Sequence, residues 1–238
     1  MQSLGNQFHI HLLGDHAILI KLSKGLNGGI DRDLLALAAF IKKQKIQGIK
    51  DIILAYDNLT LVYDILDFDS NPYLYVNQLV ANFIAEASNH NAPNSASRLI
   101  EVPVCYDPSL GIDLEAAAKI ANCNIEALIQ EHTAHIYTVY CLGFLPGFAY
   151  MGDVPKKIQL PRHPQPRATV VAGSVGIAGK QTGIYPTDSP GGWQIIGRTP
   201  IKIFDTIKLS LFKAGDQVKF NPIDLALFHE LNNQEDVH

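Results

Sequence analysis

The segment from Gly143 to Pro200 constrains this chain more than any other part of it. It reads GFLPGFAYMGDVPKKIQLPRHPQPRATVVAGSVGIAGKQTGIYPTDSPGGWQIIGRTP and holds the sole tryptophan, Trp193. Glycine and proline are set densely between Arg, Lys, Gln, Tyr and Asp. Glycine admits backbone conformations that other residues find costly, and proline fixes φ and removes a donor. Such a segment runs as short strands joined by rigidly shaped turns, and its polar groups are carried on those turns. Loops held by a rigid scaffold are where binding and catalysis concentrate.

The remainder reads as domain-building sequence. Phe8 to Leu12 alternates in part, Gly14-Asp15 is a hairpin signal, and Ala17 to Leu22 is an apolar strand. Asp31 is positioned to cap a helix through Leu34, Leu37, Ala38 and Ile41, with Lys42, Lys43 and Lys45 at its negative pole. Residues 51–56 and 59–63 flank Asp57-Asn58 as a second hairpin, and 72–86 repeats apolar residues at helical spacing. The order ββαββα predicts a small α+β domain over residues 1–88, an antiparallel sheet with two helices. The polar stretch ASNHNAPNSAS supplies a linker at 89–97. Residues 98–238 then form a mostly β domain that closes into a barrel or sandwich. It begins with a strand at 98–104, two short helices with Asp113 and Asn124 as N-caps, and a strand at 136–140.

Composition removes several classes. A length of 238 residues allows one large domain or two small ones, and 47% hydrophobic residues suffice for a core. A net charge of −4 carries no basic footprint for nucleic acid. No apolar run reaches the roughly 20 residues of a membrane span. The opening MQSLGNQFHIHLLGD lacks the pattern of a signal peptide, and Cys105, Cys123 and Cys141 form no CxxC pair, so a reducing cytoplasm is expected. At 18% charged residues, the surface leaves room for extended contact with a partner.

Within the Gly/Pro segment, GSVGIAGKQ fails as a phosphate loop. Gly173 and Gly179 are one residue too far apart, and Gln181 follows Lys180 where Ser or Thr is required. It reads as a glycine hairpin or as an anion nest using Lys180. Arg162 and Arg167, each after a proline, present guanidinium forks to carboxylate or phosphate oxygens, or else pair structurally. His132 and His135 have a metal-ligand spacing without a third ligand, so no metal is expected there. His132 serves either as a packed helix-end residue or as a general acid–base. Gln181, Thr182, Tyr185, Trp193 and Gln194 bring polar groups and aromatic faces together, as a pocket wall or as barrel core. Asp188 reads as a turn cap or as a group that orients a base.

The runs GFLPGFAYMG, PRHPQPR, AGSVGIAGKQTGIYP and SPGGWQIIGRTP resemble, in order, the signature of the allophanate hydrolase subunit 1 family. The resemblance extends from Asp15 to Gly215-Asp216 and Phe220-Asn221-Pro222. It implies a cyclophilin-like barrel for the second domain. It also implies one of three activities: a subunit of an ATP-dependent 5-oxoprolinase that opens 5-oxo-L-proline to L-glutamate, an allophanate hydrolase or urea carboxylase-type subunit, or an inhibitor of a sensor histidine kinase. The first is preferred. It implies ATP as co-substrate, on this chain or a partner, with no metal beyond the Mg that accompanies ATP. It further implies a sister subunit of the allophanate hydrolase subunit 2 type and a lactam-utilising subunit. On that reading His132, Arg162 and Lys180 are the expected catalytic residues, and Phe148, Arg167, Gln181, Tyr185, Trp193 and Arg198 line the substrate site. The family commonly carries a basic residue where this chain has His163.

Overall fold

Alternation in the first strands decides the first sheet. In the computed structural model, which describes residues 3–4, 8–22, 32–89 and 98–235, the chain divides into two compact units, Met1–Ala96 and Ser97–His238. In the first unit, β1 (Ser3–Leu4), β2 (Phe8–Leu13), β3 (Ala17–Leu22), β4 (Ile49–Ala55) and β5 (Asn58–Tyr63) form an antiparallel sheet in the order β1-β2-β3-β5-β4. Phe8 and Ile10 of β2, Ile18, Ile20 and Leu22 of β3, and Leu59, Leu61 and Tyr63 of β5 are buried. A period of two puts each set on one face. Helices α1 (Arg32–Gln44) and α2 (Pro72–Asn89) cover it with Leu34, Leu37, Ile41, Val76, Val80 and Phe83. Full burial of each such side chain contributes roughly 1.5–3 kcal/mol.

Two boundaries differ from the sequence reading. The second hairpin turns at Tyr56-Asp57, because Ala55 pairs with Asn58, and Tyr56 takes φ +54°. Helix α2 runs on to Asn89 rather than stopping at 86. The expected cap Asp31 and all of the expected linker except Asn89 lie outside the described residues.

The second unit is a closed barrel. Its strands are β6 (Leu99–Cys105), β7 (Ile136–Leu142), β8 (Ala149–Gly152), β10 (Ser174–Ala178), β11 (Gln181–Ile184), β13 (Gln194–Arg198) and β16 (Gln217–Ile223), in the order β10-β11-β8-β7-β16-β6-β13. Closure removes sheet edges that would otherwise stay unpaired. The parallel pairing of β6 with β16 joins the start of the unit to its end. Short pairs β9 (Arg167–Val170) with β12 (Ser189–Gly191), and β14 (Phe204–Asp205) with β15 (Leu209–Ser210), lie outside the barrel ring. The barrel core holds Val102, Val104, Val139, Met151, Val175, Ile177, Ile184, Ile196, Val218 and Phe220. Helix α3 (Leu114–Ile120) adds Leu114, Ala117 and Ala118, and α4 (Ile125–Thr133) adds Leu128. Asn124 caps α4 as expected, accepting from the Ala127 amide at 2.8 Å. Helix α5 (Leu225–Glu235), after β16, has no counterpart in the sequence reading.

GSVGIAGKQ is the β10–β11 hairpin. Ala178 pairs with Gln181 across Gly179-Lys180, and Gly179 takes φ +59°. Glycine at the first of two turn positions with positive φ suits the strand twist.

Candidate functional site

Two glycines prepare the outer face of the barrel. Gly176 and Gly183 are directly opposed in the β10–β11 pair. A β-carbon at Gly183 would stand 3.2 Å from Phe148 and 3.3 Å from Trp193, and one at Gly176 would stand 3.0 Å from Trp193. The bare backbone there lets an aromatic cluster approach the sheet closely. Phe148 is its centre, with ring centroids 4.9 Å from Tyr150, 5.3 Å from Tyr185 and 5.3 Å from Trp193, all edge to face. Such pairs add about 0.5–1.5 kcal/mol each beyond burial. Phe148, Tyr185 and Trp193 are all buried, so these three expected site residues form the wall beneath a site rather than its open surface.

The Pro161–Arg167 segment crosses the edge of this wall. The Gly179 amide donates to the Leu160 carbonyl at 2.6 Å, the Gln194 Nε2 donates to the Pro161 carbonyl at 3.0 Å, and the His163 amide donates to the Gly192 carbonyl at 2.7 Å. Arg162 is thereby laid over Trp193, its guanidinium carbon 5.9 Å from the ring centroid. A cation over an indole face is attracted by the ring quadrupole. Burial pushes the phenols of Tyr150 and Tyr185 up, and the Arg162 charge acts on both in the opposite direction. No carboxylate among the described residues pairs with Arg162.

Arg167 is anchored differently. Its Nη2 donates to Asp113 Oδ1, while Asp113 Oδ2 accepts from the Ile195 amide at 2.7 Å and stands 3.3 Å from His163 Nε2. Local pattern marks Asp113 as an N-cap, yet its side chain makes no capping bond to α3. A carboxylate beside two basic side chains and a strand edge gains more there than at a short helix end. Sequence reasoning misses Asp113 as a site residue because its partners are 54 and 82 residues away. It also misses Tyr150, although the aromatic-rich GFAYMG run is a signal that marks it.

Lys180 is exposed on the β10–β11 turn, and Gln181 flanks it, half-buried. The Leu160–Gly179 bridge puts both on the same rim as the Arg162 segment. Arg198 is not brought there. It is at the opposite end of β13 from Gln194, roughly 13 Å along the strand. Its Nε donates to the Ala172 carbonyl at 2.8 Å and its guanidinium lies over Phe228. Asp188 is a turn cap, accepting from the Ala172 amide at 2.7 Å.

His132 is packed in the barrel core among Tyr106, Thr182 and Phe220. It is fully buried, stacked on Phe220 with centroids 4.7 Å apart. Thr182 Oγ1 donates to the Gly176 carbonyl at 3.0 Å, so it accepts from His132 Nε2 at 2.9 Å. Nδ1 then accepts from the Tyr106 hydroxyl at 2.8 Å. Both ring nitrogens are occupied by a complete chain of hydrogen bonds. Burial, with a smaller push from His135, holds the imidazole down to about 3. Desolvation disfavours the charged form, so the ring is neutral at working pH. His135 is separate: its Nδ1 donates to the Glu131 carbonyl at 3.0 Å.

A groove of about 360 Å³, lined by Ala121, Cys123, Glu131 and Lys157 among others, contains none of these site residues. Among the described residues no helix is long and apolar enough to cross a membrane.

Residues 8–211 match the family described as carboxyltransferase domain, subdomain C and D. The 5-oxoprolinase B subunit of Bacillus subtilis is 39% identical over 232 residues, 94% of this chain and 96% of that one. The 5-oxoprolinase B subunit of Haemophilus influenzae is 39% identical over 210 residues, 87% of this chain and 94% of that one. The crystal structure of urea amidolyase from Kluyveromyces lactis superposes with a TM-score of 0.77 at 18% identity, covering 99% of this chain and 16% of that one, and so shares the fold. This chain belongs to the carboxyltransferase domain, subdomain C and D, family.

Proposed function

We propose that this chain is the B subunit of a cytoplasmic, hetero-oligomeric, ATP-dependent 5-oxoprolinase, hydrolysing 5-oxo-L-proline to L-glutamate. The observation that carries this reading is near end-to-end identity of 39% with a protein of that name. The urea amidolyase likeness gives less support, because this chain spans only 16% of that polypeptide.

The chemistry explains why a cationic rim is useful. A lactam carbonyl resists water. Transfer of the terminal phosphoryl group of ATP to the carbonyl oxygen makes the carbon electrophilic. Water then adds, the ring C–N bond breaks with its nitrogen taking a proton, and a second water releases phosphate. The sum consumes one lactam, one ATP and two waters, giving glutamate, ADP and phosphate. Such a site must hold a substrate carboxylate and the phosphoryl charge. Arg162 and Arg167, with Lys180 on the adjacent turn, are assigned to those anions. Gln181 lies beside them, and the Phe148, Tyr185 and Trp193 wall fixes the segment that carries Arg162. His132 is assigned to hold the barrel strands behind that wall, since proton transfer would first require it to release Thr182 or Tyr106. Arg198 would act from the far end of β13. A sister subunit of the allophanate hydrolase subunit 2 type and a lactam-utilising subunit complete the enzyme.

The test is glutamate formation from 5-oxoproline and ATP by this chain copurified with those subunits. Activity should vanish when this chain is omitted and fall at least tenfold with Arg162→Ala. A verified assembly that makes no glutamate would overturn the reading.

A further inference from the structure

Among the described residues, four buried side-chain polar atoms lack a hydrogen-bond partner, and three of them belong to His163, Arg167 and Gln194. All three sit where the Pro161–Arg167 segment meets Gly192–Ile195. Buried polar groups are normally paired, so three orphans in one contact point to a missing ligand. Their character is defined. The Gln194 Nε2 is committed to the Pro161 carbonyl, leaving Oε1 as a free acceptor on a residue only 3% exposed. The Arg167 Nη2 is committed to Asp113, leaving Nη1 as a free donor. His163 Nε2 is near Asp113 but not aligned with it. Both residues belong to one bonded cluster, because the Ile195 amide next to Gln194 shares the Asp113 carboxylate with Arg167.

We infer that Gln194 is the specificity-determining residue of the substrate site, its Oε1 accepting the lactam N–H while Arg167 takes the carboxylate of the same molecule. The inference rests on the 5-oxoprolinase reading. In 5-oxoproline the ring nitrogen is bonded to the carbon that bears the carboxylate, so one acceptor beside one guanidinium matches both groups. A site built to bond an N–H rejects an analogue lacking it, because the buried acceptor is then left unpaired. The Pro161–Pro166 segment meets Gln194 through the Pro161 carbonyl. Apart from half-buried His163 it is exposed, and its prolines keep it stiff.

The experiment is calorimetric binding to the assembled complex without ATP. The ligands are 5-oxo-L-proline and the lactone in which ring oxygen replaces N–H. The wild-type complex should prefer the lactam by at least tenfold. Gln194→Met should bring that preference to within twofold, and Arg167→Lys should weaken both ligands alike. A wild-type complex that binds both equally, or a Gln194→Met complex that keeps the preference, overturns the inference. If such a complex still forms glutamate, the 5-oxoprolinase reading stands and only this site falls. A complex that neither binds nor turns over 5-oxoproline removes both. Should Gln194→Met fail to assemble, the wild-type lactam-to-lactone ratio remains decisive.

Discussion

Lowering the pH from 7 to 5 should remove about 2 kcal/mol of folding stability through His132 alone. In the unfolded chain an imidazole titrates near 6.5, whereas in the barrel burial holds His132 down to about 3. Between those values the unfolded state binds a proton that the native state does not. The contribution is therefore complete above the unfolded pKa and is lost as pH falls toward the folded one. The slope approaches about 1.4 kcal/mol per pH unit. The assay is urea unfolding at pH 7 and pH 5, at fixed ionic strength, followed by the fluorescence of Trp193. Wild type and His132→Gln are compared, so that the exposed histidines, common to both, cancel. The variant will be less stable at both pH values, because it loses the stack on Phe220. The difference in pH dependence is the readout. Equal pH dependence in the two proteins would refute the argument. Ring NMR signals of wild-type His132 give the same answer without a variant, and they should not titrate above pH 5.

Three further outcomes follow from close contacts. Gly111→Ala should cost roughly 2–4 kcal/mol in thermal unfolding, because its β-carbon would overlap the Ile196 carbonyl, a backbone atom of β13 that cannot rotate away. An unchanged Tm would show that the segment leading into α3 does not approach β13 this closely. Gly191→Ala should displace Tyr185, whose ring carbons would stand 2.8 Å from the new methyl, and so shift the emission of neighbouring Trp193; an unaltered spectrum would count against that packing. Asp216→Asn should cost about 1–2 kcal/mol in urea, since the buried carboxylate accepts from Arg98 Nη2 at 2.6 Å and the Lys213 amide at 2.8 Å while Arg98 itself remains half exposed. A change below about 0.3 kcal/mol would place this pair with ordinary surface ion pairs.

What the sequence alone determined was local. The β2–β3 hairpin, the Asn124 cap and the β10–β11 glycine hairpin each depend on residues within a few positions of one another. Backbone torsion preferences and short-range hydrogen bonds fix such features before the chain folds back on itself. The Gly/Pro segment was legible as shaped turns for the same reason, and Arg162 does lie over Trp193. The tertiary structure decided the rest. Only tertiary pairing fixes which end of β13 meets the arginine segment, Gln194 bonding Pro161 while Arg198 bonds Ala172. Only burial among Phe220, Tyr106 and Thr182 turns His132 from an ordinary imidazole into a neutral strut. Asp113, a helix cap by local pattern, became the acceptor shared by Arg167 and Ile195. A carboxylate goes where donors are densest. Those donors were gathered by strands far apart in the chain, and long-range pairing of that kind leaves no periodic mark in the sequence.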